Sequence, residues 1–337
     1  MCYAPRKYIE KMEDTYFRLF GSKPKNAVLP LVKGDHPELD ATELLDLENV
    51  KIYQSLIGAL QWVIQIGRWD VSTATMTMSR FRAAPRIGHL DHVKRIYGYV
   101  SKMKHAVVRI RTEEPDYSDI PETQYNWKYA VYRGAKEDLP DDMPPPKGKR
   151  VVFTSCVDVN LCHDLISGKS VTGIVHCANQ TVIDAFSKLQ STVETATFGS
   201  EYVAARTCTE QIIDLRNTFR YLGVPVDTPT VMFGDNESVV NTAAVPHGKL
   251  NKRHNALSYH KTRSAIAAAI TRFIHTPGKH NPADILSKHW DYPTVWPTLR
   301  ALLYSEGEDR KTPPLTIIRN LAKQVLGLDV ETVDDSN

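Results

Sequence analysis

Three apolar stretches decide the fold: VVFTSCVD (151–158), VTGIVHC (171–177) and VIDAFS (182–187). Each is rich in β-branched or aromatic residues, and short runs of this composition are typical of β-strands. Asn179 and Gln180 separate the second stretch from the third and predict a hairpin turn. We therefore expect three consecutive strands in one sheet.

A long helix is predicted to follow these strands. Ser191-Thr-Val-Glu194 has the S-x-x-E form of a capping box, and the helical pattern continues to Leu222, with Gly223 after its end. The remaining pattern predicts a strand at 229–234, helices at 236–244 and 257–269, a strand at 271–275 and a short terminal helix. This order predicts an α/β fold with a mixed five-stranded sheet flanked by helices.

The residues before the sheet show a different pattern. Residues 1–111 are predicted to be mostly α-helical, and the clearest helix lies at 53–64, where apolar residues recur at helical spacing. Residues 112–150 are predicted to be a linker, because the stretch from Glu113 to Pro146 is acidic, contains prolines and ends in the triplet at 144–146. We expect a sheet domain at 151–292 and a helical tail at 293–337 that is disordered at its end.

The overall composition excludes several classes of protein. The chain has 337 residues, 42% hydrophobic residues and a net charge of +3, values typical of a globular protein with two domains. It has no apolar run of about 18 residues, and charged residues interrupt the N-terminal stretch where a signal peptide is apolar. Its five cysteines lack CxxC pairing and fit buried thiols in a reducing compartment.

Four acidic residues lie where a sheet-based site collects its ligands, at the ends of elements or along the long helix. They are Asp158, Glu201, Asp235 and Asp284. Asp158 ends the first strand, Asp235 follows the strand at 229–234, and Glu201 lies on a helix face with small alanines that can approach the sheet closely. Asp284 follows Asn281-Pro282, a pair predicted to be the N-cap and N1 of the terminal helix.

Convergent carboxylates repel one another unless cations hold them, and hard oxygen ligands suit Mg²⁺ or Mn²⁺. A pair of such ions hydrolyses phosphodiesters: one orients hydroxide, and the other stabilises the leaving oxygen. The residues thus predict metal-dependent phosphodiester cleavage. Taken singly, each acid also has a structural explanation, because Asp284 would favour a helix N-terminus and Asp235 would suit a turn or cap.

Five short motifs in a fixed order carry a resemblance to a known family. They are CVD (156–158), SKLQ (187–190), GSEYVAA (199–205), GDNES (234–238) and ADILSK (283–288), with Tyr259-His260 before the last. In this order they resemble the ribonuclease H domain of copia-type retrotransposon Pol polyproteins. Upstream, YQSLIGALQW (53–62), RWD (68–70) and MSRF (78–81) resemble the segment after the polymerase palm, so the resemblance covers most of residues 7–290.

The resemblance implies a ribonuclease H-like fold and a Mg²⁺-dependent endoribonuclease. Asp158, Glu201, Asp235 and Asp284 would bind two Mg²⁺ or Mn²⁺ ions and hydrolyse the RNA strand of an RNA–DNA hybrid, without a small-molecule cofactor. The palm's YVDD tetrad is absent from the sequence, as are the motifs of an integrase and an aspartic protease. Residues 1–111 would then be a thumb- and connection-like region lacking the palm, so polymerase activity is not expected from this chain alone.

A basic segment between residues 238 and 283 predicts a nucleic-acid surface. It contains seven Lys or Arg and no acidic residue, although a charge run is often only a solvated face. The residues expected to bind nucleic acid are Lys249, Lys252, Arg253, His260, Lys261, Arg263 and Lys279. By analogy with a loop histidine of related enzymes, His275 or His280 is a candidate for assisting product release.

Two other functions fit the same residues. The missing palm would suit a decayed or repurposed retroelement remnant that binds nucleic acid without turnover. A transposase or integrase of the same fold needs acids in the order D, D, E, whereas the order here is D, E, D, D. The expected partners are an RNA–DNA hybrid and the rest of a reverse transcriptase, with no membrane, and the expected location is intracellular: the cytoplasm, in a virus-like particle, and the nucleus.

Overall fold

A computed structural model describes residues 2–118, 120, 125–250 and 252–303. Helices α1 to α4 span Arg6–Phe20, Leu47–Gln65, Ser72–Ser79 and Ile87–Lys102. Strands β1 (Cys2–Tyr3) and β2 (Val108–Arg109) pair antiparallel and join the start of the chain to the residues after α4. The helix predicted at 53–64 lies within α2, and the first part of the chain is helical as expected.

The central sheet has five strands, as predicted. They are β3 (Phe153–Asn160), β4 (Val171–Ala178), β5 (Thr181–Leu189), β6 (Thr230–Gly234) and β7 (Thr271–His275), in the order β5-β4-β3-β6-β7. Strands β3, β4 and β5 are antiparallel, while β6 runs parallel to β3 and β7 parallel to β6. Asn179 forms the hairpin turn with φ +52°, a left-handed conformation that Asn tolerates well. The prediction of an α/β fold with a mixed five-stranded sheet is confirmed.

Helices cover both faces of this sheet. Helices α5 to α9 span Thr197–Tyr221, Glu237–Ala244, Ala256–Ala267, Asp284–Ser287 and Tyr292–Leu302. On one face, Val157 and Val159 of β3 share a core with residues of α5, α6 and α7. On the other face, Val175 and Cys177 of β4 share a core with residues of α1 to α4, α8 and α9. Side chains alternate between the two faces along β3, so Asp158 points away from the core that Val157 and Val159 share with α5 and lies toward α8.

The helical region and the sheet share one hydrophobic core, so apolar contacts cross the predicted boundary at residues 112–150. The hydroxyl of Thr73 in α3 donates to the Ile285 carbonyl of α8 over 3.1 Å, and Ser187 of β5 donates to Thr73 over 3.2 Å. The domain limits at 111, 150 and 292 remain a prediction. Of the predicted tail 293–337, residues 304–337 lie outside the described residues.

The RWD motif at 68–70 has a structural role. Arg68 and Asp70 form a fully buried ion pair through two hydrogen bonds of 2.9 Å each, and the Arg68 guanidinium also donates to the Met103 carbonyl after α4 over 3.1 Å. The Tyr99 hydroxyl donates to the same Asp70 carboxylate over 2.8 Å. Because each charge has its partners, this pair can tie the end of α2 to α4 inside the core.

Two predicted helix caps are wrong. Helix α5 begins at Thr197 with Ala196 as its N-cap, and the Glu194 carboxylate instead lies buried, 3.0 Å from Nε2 of His254. The Asn281 amide donates to the Val157 carbonyl over 2.7 Å, and its oxygen accepts from the Ala283 N–H, while α8 begins only at Asp284. In both places a polar side chain has a tertiary partner that competes with the local cap.

Several described residues of the predicted linker are packed against the sheet domain. Glu137 accepts four hydrogen bonds of 2.7 to 2.9 Å from the guanidinium groups of Arg216 and Arg220 on α5. Tyr117 is hydrogen-bonded to Thr154 of β3, and Ile120 lies in a small core with residues of β3 and β6. The acidic charge of the linker is thus partly neutralised by α5.

Among the described helices, none combines the length and apolar composition needed to cross a bilayer.

We predict that Glu137→Gln lowers the free energy of unfolding by about 2 kcal/mol at neutral pH, since two arginines lose a shared partner. Although burial opposes it, hydrogen bonds from Arg220 and Arg216 lower the pKa of Glu137 from 4.5 to about 2. As the pH falls, Glu137 therefore binds a proton in the unfolded chain before it does so in the folded protein. The stability advantage of wild type over Glu137→Gln should be complete above about pH 4.5 and disappear toward pH 2.

Urea denaturation of both proteins across this pH range measures the difference. Glu10→Gln is the matched control, because Glu10 forms an exposed ion pair with Arg6 and should change stability by less than about 0.5 kcal/mol. A Glu137→Gln protein as stable as wild type at neutral pH would show that the linker contact adds nothing.

Candidate metal centre and nucleic-acid surface

Three of the four predicted acids converge at one end of the sheet. Asp158 lies near the end of β3, Glu201 in the second turn of α5, and Asp235 directly after β6. Each offers a carboxylate oxygen within 4.8 Å of the other two. Because β3 and β6 run parallel, the carboxyl ends of both strands lie at the same edge of the sheet and bring Asp158 and Asp235 together, and α5 packs against β3.

Asp284 is held differently from the other three acids. Its carboxylate accepts a hydrogen bond from Nζ of Lys288, one helical turn later, and the same ammonium lies 3.3 Å from Asp158 Oδ2. Ser287 donates its hydroxyl to Asp158 Oδ2 as well. Asp284 is therefore next to the cluster but outside the group of mutually close oxygens, because Lys288 lies between it and Asp158.

Burial decides the electrostatics of the cluster. Asp158 is 1% exposed and Glu201 5% exposed. Burial raises the pKa of Asp158 to about 7 despite the Lys288 ammonium, with Asp235 and Asp284 adding to the rise. Burial, Asp158 and Asp235 together raise the pKa of Glu201 well above its usual range. The chain alone thus cannot keep this cluster fully ionised at neutral pH.

A divalent cation fits this arrangement. Asp158 Oδ1 is buried and has no hydrogen-bond partner among the described residues, so one carboxylate oxygen is left free to coordinate. The donors are all hard carboxylate oxygens, the ligand class that Mg²⁺ and Mn²⁺ prefer. The cluster of Asp158, Glu201 and Asp235 is a candidate metal centre.

Two glycines allow backbone to approach the cluster closely. Gly173 of β4 is paired with Asp158, and a Cβ at this position would lie 2.5 Å from the Ala283 carbonyl and 2.7 Å from Ser287 N. A Cβ at Gly278 would lie 3.0 Å from Asp235 Oδ2. The missing side chain at 173 lets α8 pack directly on the sheet and brings Ser287 and Lys288 to Asp158.

Most of the predicted nucleic-acid residues are accessible. Lys249, Arg253, His260, Lys261 and Lys279 are exposed, and Lys252 is half-buried. The Lys252 ammonium donates to Thr195 over 3.3 Å, and His254 contacts Glu194, so this stretch lies against the start of α5, near Glu201. Their binding to nucleic acid remains a prediction.

The prediction for Arg263 is wrong. This residue is 2% exposed, and its guanidinium donates to backbone carbonyls in the last turn of α6 and directly after the helix. These acceptors are Thr242, Ala243, Val245 and Pro246. The side chain satisfies carbonyls that the helix end leaves without partners, so it stabilises the fold and is not available to a phosphate.

The two candidate histidines lie at the end of β7 and in the turn that follows it. His275 Nε2 is 3.1 Å from the Asp235 carbonyl. His280 has a buried Nε2 without a hydrogen-bond partner among the described residues, and burial followed by the Lys279 charge lowers its pKa. His275 thus contacts Asp235, and a role of either histidine in product release stays a prediction.

Sequence reasoning missed the roles of Ser287 and Lys288. Both belong to the ADILSK motif, which was used to place Asp284 alone. The i, i+4 spacing of Asp284 and Lys288 predicts their contact on a helix, but nothing local indicates that they also reach Asp158.

Comparison with known proteins supports the family resemblance. The chain is 23% identical over 287 residues to the Retrovirus-related Pol polyprotein from transposon TNT 1-94 of Nicotiana tabacum, a match that covers 85% of this chain and 19% of that protein. It is 23% identical over 256 residues to the Pol polyprotein from transposon RE1 of Arabidopsis thaliana, covering 75% of this chain and 15% of that protein. The resemblance to copia-type retrotransposon Pol polyproteins is confirmed. The chain spans less than a fifth of the length of these relatives.

Two solved structures are similar to part of the chain. The N-terminal RNase H domain of rv2228c from Mycobacterium tuberculosis matches 45% of this chain and 96% of that chain, with 13% identity and a TM-score of 0.32. LC11-RNase H1 in complex with RNA/DNA hybrid matches 41% and 94%, with 16% identity and a TM-score of 0.32. The fold is defined by the observed strand order. No protein-family model matches the chain.

We predict that Gly173→Ala destabilises the protein by about 1 to 3 kcal/mol, because the added methyl group would clash with backbone atoms of Ala283 and Ser287, which cannot rotate away as a side chain can. Gly58→Ala in α2 is the control: a Cβ there meets nothing within 4 Å, so stability should stay the same or rise slightly. Thermal and urea unfolding measure both variants. Equal stability of Gly173→Ala and wild type would contradict the close approach of α8.

We also predict that Mn²⁺ stabilises the folded protein. At a concentration about 100 times its dissociation constant, a ligand bound only by the native state adds about 2.7 kcal/mol. Asp158→Asn should lose this gain, whereas Asp214→Asn, an exposed substitution on the same helix as Glu201, should keep it. Calorimetric unfolding with and without the ion tests this, and an identical response of Asp158→Asn and wild type would exclude the cluster as the metal centre.

Proposed function

We propose that this protein is a ribonuclease that cleaves the RNA strand of an RNA–DNA hybrid with divalent metal ions held by Asp158, Glu201, Asp235 and Asp284. The single observation that carries the proposal is the buried cluster of Asp158, Glu201 and Asp235, whose oxygens lie within 4.8 Å of one another at the end of a ribonuclease H-like sheet. A site of this kind suits hydrolysis of a phosphodiester. The phosphodiester is negatively charged, so it can bind next to the carboxylates only when cations neutralise the repulsion.

The carboxylates have separable roles in this proposal. Asp158, which has a buried oxygen without a partner among the described residues, would hold the Mg²⁺ ions together with Glu201 and Asp235, and Asp284 would be a further ligand beside this cluster. When bound, the ions supply an activated hydroxide and neutralise charge on the phosphate and the leaving oxygen. The chain's own part is to hold the carboxylates rigidly on β3, α5 and β6 and to exclude water behind Asp158.

The substrate is proposed from charge and from the resemblance. Lys252 of the basic segment contacts Thr195 just ahead of α5, where a phosphate backbone would pass on its way to the cluster, and the exposed lysines and arginine of the same segment add positive charge. Phosphate contacts of this kind position a nucleic acid without reading its sequence. The resemblance to Pol polyproteins supports a hybrid as the substrate, and a site of this type distinguishes RNA by its 2′-hydroxyl.

The N-terminal region has a structural role in the same proposal. We infer that residues 1–111 are the thumb- and connection-like part of a reverse transcriptase, that 151–292 form the ribonuclease domain, and that the rest of a reverse transcriptase is a partner. The packing of α3 on α8 supports this, because α8 carries Asp284 and the helical region holds it in place. The chain would act where a retroelement is reverse-transcribed, in a cytoplasmic particle or the nucleus.

One observation favours a second candidate, a remnant that binds nucleic acid without cleaving it. Lys288 places an ammonium between Asp158 and Asp284, and the two carboxylates raise its pKa although burial opposes this. An ammonium in this position takes up negative charge that a second metal ion would otherwise neutralise. In this alternative the basic segment binds nucleic acid and the carboxylate cluster is inactive.

The test is cleavage of a hybrid whose RNA strand carries a label, with Mg²⁺ or Mn²⁺. Wild type should cut the RNA strand, while Asp158→Asn and Glu201→Gln should lose at least about a hundredfold in rate, because each removes a charge that the reaction requires. Asp214→Asn on α5 should retain the wild-type rate.

Two results would decide against the ribonuclease. Absence of cleavage with either metal would leave the inactive remnant as the better function, provided that the hybrid still binds. Cleavage that survives in Asp158→Asn would show that another group, or a contaminating nuclease, is responsible.

A further inference from the structure

We propose that residues 125–136, which we call the aromatic tract, bind single-stranded nucleic acid beside the carboxylate cluster. This goes beyond the proposed hybrid cleavage, which depends on the carboxylates and on the basic segment. The tract lies within the predicted linker, where no binding function was expected.

The composition of the tract differs from that of the linker around it. Its sequence, YNWKYAVYRGAK, contains four aromatic and three cationic residues and no acidic residue, whereas acidic residues both precede and follow it. Proteins that bind single strands combine aromatic rings, on which bases stack, with cations that contact the backbone. The tract has both, alternating along a few residues.

The tract is anchored on α7 by a buried arginine. The Arg263 guanidinium lies over the rings of Trp127 at 5.0 Å, Tyr132 at 5.6 Å and Tyr259 at 4.8 Å. The Tyr132 hydroxyl is also hydrogen-bonded to Nδ1 of His260. Trp127 and Tyr132 therefore serve as anchors, and the residues between them are held at a defined place on the surface.

The other end of the tract is anchored by Glu137. Arg216 and Arg220 bind both oxygens of this carboxylate, which fixes the chain directly after Lys136 and neutralises the first acidic charge beyond the tract. With both ends held, the ordering cost of binding a ligand here is small.

The outer surface of the tract is aromatic and cationic. Tyr129 is 79% exposed and Val131 87% exposed. The Lys128 ammonium lies 5.6 Å from the centre of the Tyr129 ring, and Arg133 and Lys136 are exposed too. A tyrosine ring open to solvent between cations can take an unpaired base on its face and phosphates at its sides. Bases in a duplex are already stacked on one another, so the ring favours a single strand.

The position of the tract connects it to the candidate site. Helix α7, on which the tract lies, starts directly after the stretch where Lys252 and His254 contact Thr195 and Glu194, just ahead of α5. Exposed Lys261 lies on α7 beside His260, which contacts the tract. Cationic side chains thus lie on the elements that connect the start of α5 to the tract, and a strand that leaves the carboxylate cluster unpaired would pass them on its way to Tyr129.

The experiment measures binding of a fluorescein-labelled oligothymidylate of about 12 nucleotides to the full chain, in EDTA and at low salt, by fluorescence anisotropy. Tyr129→Ala should weaken binding about tenfold, because it removes one stacking surface, while Tyr129→Phe keeps the ring and should stay within about twofold of wild type. Lys128→Gln should lower the slope of log K against log[salt] by about 0.7. Lys51→Gln, an exposed change on α2, is the charge control and should have little effect.

Three outcomes overturn the inference. The first is no binding of oligothymidylate by wild type, and the second is equal affinity of Tyr129→Ala and Tyr129→Phe. The third is a polyglutamate probe that binds wild type as tightly as oligothymidylate does and loses as much affinity in Tyr129→Ala. The last result would mark a surface for an acidic protein. Tyr129 is largely exposed, so its substitutions are expected to fold, and thermal unfolding checks this. Because the measurement uses neither metal nor hybrid, it can fail or succeed independently of the proposed cleavage.

Discussion

The repulsion among buried carboxylates is the constraint on which the rest of this structure depends. Asp158 and Glu201 lie almost without solvent contact, and Asp235 is within 4.8 Å of both. Such a cluster opposes folding unless protons or cations reduce its charge. The fold therefore has to stabilise the surrounding elements well enough to hold these acids together, and a bound cation would then convert the repulsion into affinity.

Helix α8 shows how the surrounding structure meets this constraint. It is only four residues long, yet Ile285 and Leu286 belong to the same core as the N-terminal helices, and Thr73 of α3 binds its backbone. Gly173 lets it lie directly on β4. Ser287 and Lys288, at its end, then contact Asp158. The helical region thus acts on the site through packing and contributes none of the four acids.

Arginine side chains organise the other side of the molecule. Arg263 binds carbonyls at the end of α6 and stacks on aromatic rings, while Arg216 and Arg220 share the Glu137 carboxylate. All three use the planar, multiple-donor geometry of the guanidinium group, which suits buried carbonyls and carboxylates better than an ammonium does. They hold part of the stretch predicted to be a linker against α5 and α7.

The sequence by itself determined the strands, the hairpin at Asn179 and three acids at the site, because strand periodicity and turn chemistry are local properties. Asp158 and Asp235 could be placed because each comes at the end of a strand. Only the tertiary structure decided that Glu194 binds His254 instead of capping a helix, that Arg263 is buried, and that Lys288 separates Asp284 from the cluster. The physical reason is that burial and hydrogen bonding depend on which atoms meet in space. Asp158 and Ser287 are far apart in the chain, and no local pattern links them.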